Sequence, residues 1–210
     1  MMPTKEHAER TTSYAMDVVV CDTETTGFKV PEGHRLIEIA TVHVLRGKIV
    51  RDWSALVNPS RLIPPDATKV HGITDAEVAL ADMPAVVAPI VSAALRCEGA
   101  VVFHNSPFDL PFVNQLLADG GQPPFDGPVV DTLGLARGIY GVSGNSLGAL
   151  VAKLGLPAET AHRALGDARM TARLLLTLAS WYEEQRGIVT LTDLAAYSLD
   201  VMRRTTFARR

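Results

Sequence analysis

The 210-residue chain is short of cysteine: Cys21 and Cys97 are its only two, and they form no C-x-x-C pair. No disulfide framework is available, and both read as reduced, buried thiols of a cytoplasmic protein. Long hydrophobic runs are missing, so nothing spans a bilayer. The polar N-terminus lacks the apolar core of a secretion signal. There is no excess of either charge: 20 basic residues face 23 acidic ones, for a net charge of −3. That balance is not the signature of a bulk nucleic-acid binder. It misleads only if several acids hold cations, since each divalent ion restores positive charge locally. Internal repeats and low-complexity tracts are also absent. A hydrophobic content of 47% suits a globular core, and the length favours one large domain over two small ones.

The most informative stretch is Val18-Val19-Val20-Cys21-Asp22-Thr23-Glu24-Thr25-Thr26-Gly27. A β-branched run ends in carboxylates at i and i+2, followed by a small-residue turn. Alternate residues of a strand share a face, so Asp22 and Glu24 point the same way. Adjacent carboxylates repel unless cations neutralise them, and hard divalent ions prefer oxygen ligands. The pair is half of a metal site or a polar strand end, and the pair alone does not decide which.

Along the chain, residues 1–16 read as a loose tail and 17–21 as the first strand. A Pro- and Gly-containing loop covers 28–35. Residues 36–45 and 49–57 are β-rich and joined tightly enough for a hairpin. Asn58-Pro59 and Pro64-Pro65 read as breaks, and Thr74 caps a short turn. Helices are expected over 84–95, 107–119, 132–138, 146–154, from about 164 to 184, and over 190–203. Short buried strands are expected at 100–103 and 129–130. Strands followed by alternating helices and strands argue an α/β fold with a mixed sheet. The expected organisation is a tail (1–16), one domain (17–185), and a C-terminal helix with a basic end (186–210).

Two further acids lie where α/β sites gather, beyond strand ends. Asp109 follows the fourth strand in His104-Asn105-Ser106-Pro107-Phe108-Asp109. It is a candidate ligand, or the partner of Ser106 in a helix capping box. Pro111 predicts an irregular first turn. Asp167 heads the stripe Asp167, Met170, Leu174, Leu178 of the longest helix. His162 lies about 140° around that helix from Asp167. The two face one site only if His162 sits on a loop before the helix. Asp131, near another strand end, is assigned to capping the helix that follows it.

Asp-Thr-Glu-Thr-Thr-Gly, then His-Asn-Ser-Pro-Phe-Asp, then a histidine followed five residues later by an aspartate: in this order the motifs resemble the DEDD superfamily of 3′–5′ exonucleases. The resemblance is to the branch with a histidine in its third motif, which includes the proofreading epsilon subunit of bacterial DNA polymerase III and ribonuclease T. It covers roughly residues 17–181, with Val70-His71-Gly72-Ile73-Thr74 and Val130-Asp131-Thr132 inside it. It implies a ribonuclease H-like five-stranded mixed sheet flanked by helices. It implies two divalent ions, Mg²⁺ or Mn²⁺, on Asp22, Glu24, Asp109 and Asp167, with His162 as general base. The 3′-terminal nucleotide would lie against Thr25, Thr26, Gly27 and Phe28, with His71, His104, Asn105 and Phe108 as further contacts. The expected activity is release of nucleoside 5′-monophosphates from the free 3′ end of single-stranded nucleic acid, with DNA ahead of RNA. A polymerase is a possible partner, and a non-catalytic binding module is the rival from another class.

Overall fold

The structure, a computed structural model, describes residues 2–4, 16–96 and 99–207. Its centre is a five-stranded sheet in the order β3-β2-β1-β4-β5, the expected mixed sheet. Strand β1 (Asp17–Thr25) pairs antiparallel with β2 (Leu36–Leu45), which pairs antiparallel with β3 (Lys48–Leu56). Arg46 and Gly47 close the β2–β3 hairpin with φ of 51° and 74°, the left-handed pair that a tight hairpin turn requires. Strands β4 (Ala100–Phe103) and β5 (Val129–Asp131) continue the sheet in parallel on the other side of β1.

The pleat divides the core. Val18 and Val20 of β1 face one apolar layer with Ala40, Val42 and Val44, while Val19 and Cys21 face the other. The first layer is closed by α5 (Thr132–Tyr140), α6 (Leu147–Leu154) and the long α7 (Ala164–Arg186). On α7, Met170, Leu174 and Leu178 are buried, as their spacing predicts. The second layer is closed by α3 (Pro84–Leu95) and α4 (Ser106–Asp119). Helix α8 (Leu191–Phe207) packs on α5 and along β5. Met16 is buried in the core, and the tail residues 5–15 lie outside the described ones. Among the described residues no helix is long and apolar enough to cross a membrane. Cys21 is a buried free thiol, and burial, then the charges of Asp109 and Asp22, push its pKa well up. Cys97 lies outside the described residues.

The readings at Pro64-Pro65, Ser106 and Pro111 need correction. Pro64-Pro65 does not merely break the chain: α1 (Pro65–His71) starts there and ends on Gly72 at φ 74°. Proline at the first helical position lacks only a donor that the helix would leave unpaired anyway. The capping turn at Thr74 forms, and it opens a second short helix, α2 (Asp75–Ala79), with a full capping box to Glu77. The Ser106–Asp109 capping box does not form. Asn105, at φ 84°, occupies the cap position of α4, and Ser106 Oγ donates instead to Asp131 at 2.8 Å. A buried carboxylate outcompetes the local pairing. The helix also runs through Pro111 to Asp119 without interruption.

Candidate active site

Strand β1 outruns its parallel neighbour. Its pairing with β4 covers Val18 to Val20, whereas its pairing with β2 continues to Thr25. Beyond Phe103 the chain turns away into α4, so Asp22 and Glu24 stand where the sheet opens. Both point to the α7 face. Asp167, in the first turn of α7, meets them there: one carboxylate oxygen from each of the three lies within 4.8 Å of the others. Asp109 arrives from the α4 face. Its Oδ1 accepts from the backbone N–H of Thr23 at 3.1 Å and from Thr23 Oγ1 at 2.7 Å. The helices on either side of the sheet thus each deliver an acid to the end of β1.

The electrostatics are unfavourable as they stand. Burial, then Asp109, Asp167 and Glu24, raise the Asp22 pKa well above the usual carboxylate range. Burial and the Asp167 charge push Glu24 up to about 8. Burial lifts Asp109 to about 7 despite the two bonds from Thr23. Burial also raises Asp167, although the His162 N–H and the His162 charge act the other way. Among the described residues no donor reaches the carboxylates of Asp22 or Glu24. Half-buried carboxylates without donors are the donor set a hard divalent cation takes, so the residues fit such an ion.

His162 lies outside the helix, as the angular argument requires. It occupies a turn at φ 58°, and α7 begins two residues later. Its backbone N–H donates to Asp167 Oδ2 at 3.1 Å, and its side chain is exposed beside the cluster.

The other candidates separate into two groups. Thr25 Oγ1 donates to the Gly27 carbonyl at 2.6 Å, and Thr26 Oγ1 accepts from the Arg35 N–H at 3.0 Å, so both hydroxyls are spent in the turn. His104 is spent too: Nδ1 lies 2.9 Å from Thr132 Oγ1 and Nε2 3.0 Å from the Asn145 carbonyl. Phe28 projects from the turn with 81% exposure, and the Gly27 Cα beside it is packed under the His34 ring. Phe108 is half-buried against Phe112, and Asn105 sits at the start of α4. His71 is 6% exposed and accepts the Ile73 N–H on Nδ1, which leaves its buried Nε2 without a partner. It lies close enough to Thr25, Glu38, Arg163 and His162 for each to act on its pKa, which burial lowers.

Sequence reasoning missed Glu38 and Arg163. Glu38 sits directly opposite Glu24 in the β1–β2 register and accepts a two-pronged contact from Arg163. A signal for it exists in Leu36-Ile37-Glu38-Ile39-Ala40, since one acid inside an otherwise apolar strand needs a partner.

Carboxylates from separate segments gathered at the end of the central strand of an α/β sheet are the donor set that metal-assisted phosphodiester hydrolases use. Residues 19–175 match the family model described as Exonuclease, and the chain belongs to that family. The DNA polymerase III subunit epsilon of Treponema pallidum is 36% identical over 170 residues, covering 79% of this chain and 78% of that protein. A DNA polymerase III subunit epsilon-like protein of Rhodobacter capsulatus is 43% identical over 183 residues, or 82% of this chain. The chain spans about a quarter of that relative's length, 25%. Among solved structures, Exonuclease X in complex with 5′ overhanging duplex DNA superposes with a TM-score of 0.68 at 31% identity, covering 86% of this chain and 99% of that one. The nuclease domain of 3′hExo, a DEDDh family member, shares the fold at 21% identity and a TM-score of 0.67, covering 79% and 92%.

Proposed function

We propose that the chain is a divalent-metal-dependent 3′–5′ exonuclease that releases nucleoside 5′-monophosphates from the 3′ end of single-stranded DNA. The observation that carries this is the convergence of Asp22, Glu24 and Asp167 within 4.8 Å in an exonuclease-family chain. Asp22, Glu24, Asp109 and Asp167 would hold two ions, Mg²⁺ or Mn²⁺, which when bound would neutralise charge on the scissile phosphate and lower the pKa of water. His162 takes the proton of the attacking water, a task suited to imidazole. The bond that breaks joins phosphorus to the 3′ oxygen of the penultimate nucleotide. Phe28 offers an exposed ring on which the terminal base stacks, a sequence-tolerant mode of holding single strands. His71, beside Thr25, is a further contact for the terminal nucleotide, and Asn105 and Phe108 line the approach. The Treponema pallidum relative is named as a DNA polymerase III subunit, which supports action beside a DNA polymerase; we place that action in proofreading and in the cytoplasm. Residues 17–185 form the nuclease unit and 186–210 its C-terminal appendage.

The test uses matched linear DNA, linear RNA and circular single-stranded DNA with added Mg²⁺. A ladder of shortened products and free 5′-monophosphates from linear DNA alone is expected. Cleavage of the circle at the linear rate would mean an endonuclease. Faster degradation of RNA would make the chain an exoribonuclease.

A further inference from the structure

Glu38 is a buried acid that the proposed chemistry does not use. It is 4% exposed and is the third residue of β2. Its Oε1 accepts from Arg163 Nη2 at 2.8 Å, and its Oε2 from Arg163 Nε at 3.1 Å. The same Oε2 accepts the backbone N–H of Ala164 at 3.0 Å. These contacts cross 125 and 126 positions of sequence. The opening amides of a helix ordinarily find a capping oxygen on the preceding side chain. Arg163 stands at that position in α7 and has none, so a strand acid caps the helix instead.

The contact falls beside His162. That residue is held at φ 58°, a left-handed conformation disfavoured for a side chain with a Cβ. Such conformations persist where the surroundings over-determine them. Here the surroundings are few. The His162 N–H is fixed by Asp167, and the next residue is fixed by Glu38. A guanidinium gripped along its Nε–Nη2 edge has one orientation, which a lysine cannot reproduce.

We propose that Glu38 and Arg163 are positioning residues: a clamp between β2 and the start of α7 that fixes His162 over the carboxylate cluster. The inference rests on the reading of His162 as the proton acceptor. The clamp acts on the cleavage step through His162 and leaves DNA binding alone.

The test compares single-turnover cleavage of single-stranded DNA at saturating Mg²⁺ in the full-length protein and its variants. Arg163→Gln and Glu38→Gln are each expected to slow cleavage by about 10–100-fold, the usual loss when a supporting partner of a reactive group is removed. Oligonucleotide affinity should stay within about twofold, and Arg163→Lys should recover only part of the rate. The double variant His162→Ala/Arg163→Gln should be no slower than His162→Ala, because groups acting through one another do not add. In the metal-free protein, amide exchange at His162 and Ala164 should accelerate while that at Leu174 does not. Rate effects that add in full, or amide exchange that stays at the wild-type rate, overturn the clamp and leave His162 as the base. A wild-type rate for His162→Ala overturns the base reading itself and the clamp's catalytic role with it. Arg163→Gln, on an exposed side chain, keeps the test alive if Glu38→Gln does not fold.

Discussion

Two groups of acids end strands of the same sheet and live in opposite conditions. Asp131, at the end of β5, is fully buried. Its Oδ1 accepts from the N–H groups of Asn105, Leu133 and Gly134, and its Oδ2 from the N–H and Oγ of Ser106. It caps α5 and anchors the start of α4 at once, so the expected capping role is observed and extended. Asp22 and Glu24, at the end of β1, have neighbours of like charge and, among the described residues, no donors. Burial alone does not distinguish a structural acid from a reactive one, since Asp109 of the proposed site is 4% exposed and Asp131 0%. The supply of donors does: a carboxylate saturated with N–H groups has no lone pair left for a cation, while a starved cluster needs one.

That contrast predicts opposite responses to substitution. Asp22→Asn, Glu24→Gln and Asp167→Asn should each lower turnover roughly 10³-fold or more, since groups that act as a unit fail together. Their metal-free thermal stability should hold or rise, because each removes repulsion. Asp131→Ala should do the reverse. It leaves several buried donors unpaired, at about 1–3 kcal/mol for each, and should lower the melting temperature while its folded fraction still cleaves. A folded, inactive Asp131→Ala beside an active Asp109→Ala would show that the wrong acid was placed in the site.

The next effect in size belongs to His162. Removing a general base typically costs ~10²–10⁴-fold. His162→Ala should slow single-turnover cleavage by about that factor, with the cation-induced rise in melting temperature kept. Disappearance of the cation effect as well would move His162 from the chemistry to the metal site.

What could be read from the sequence followed the range of the interactions. The β2–β3 hairpin, the i, i+2 carboxylates and the Met170–Leu174–Leu178 stripe are set by neighbours in the chain, and each formed. The displacement of His162 from α7 followed from local geometry once His162 and Asp167 were taken to serve one site. The Glu38–Arg163 contact did not, because its partners meet only after the sheet and α7 are assembled. Ser106 misled for the same reason, its cap being local and its true acceptor 25 positions away. His104 looked like a binding residue because both of its partners, Thr132 and Asn145, come from later segments.

A pH titration of the metal-free protein sharpens the contrast further. Glu24 has an ordinary value of 4.5 and a folded value of about 8; Asp109 has 3.8 and about 7. Between these limits the unfolded chain gives up protons that the folded one retains. Metal-free stability should therefore fall as pH rises from about 4 towards 8. Saturating Mg²⁺ should offset the loss, adding about 2.7 kcal/mol when present at a hundred times its dissociation constant. Metal-free stability that rises over this range would mean that the cluster is not starved. Glu24→Gln/Asp109→Asn should flatten the profile.

The smallest effect concerns the far side of the sheet from β3. Helix α8 begins with Leu191 against Gly99, where a Cβ would lie 3.2 Å from its side chain, at the end remote from the acids. By Ser198 it has climbed to Asp131, whose N–H donates to Ser198 Oγ at 3.0 Å. At ~1.5 Å per residue, Arg203 and Arg204 lie past the end of β5, on the side where the carboxylates are. Arg204 pairs with Asp200 at 2.8 Å, but both side chains face solvent, and such a pair contributes only ~0.2–1 kcal/mol. A phosphate arriving at low salt competes with it readily. Arg209 and Arg210 lie outside the described residues. Arg203→Gln/Arg204→Gln should therefore reduce the salt dependence of DNA binding by about one unit of log–log slope for each phosphate no longer neutralised. Cleavage at saturating DNA should not change, since neither residue reaches the cluster. An unchanged slope would make the end of α8 a solvated surface, and the positive charge that meets the strand would have to come from cations held at Asp22 and Glu24.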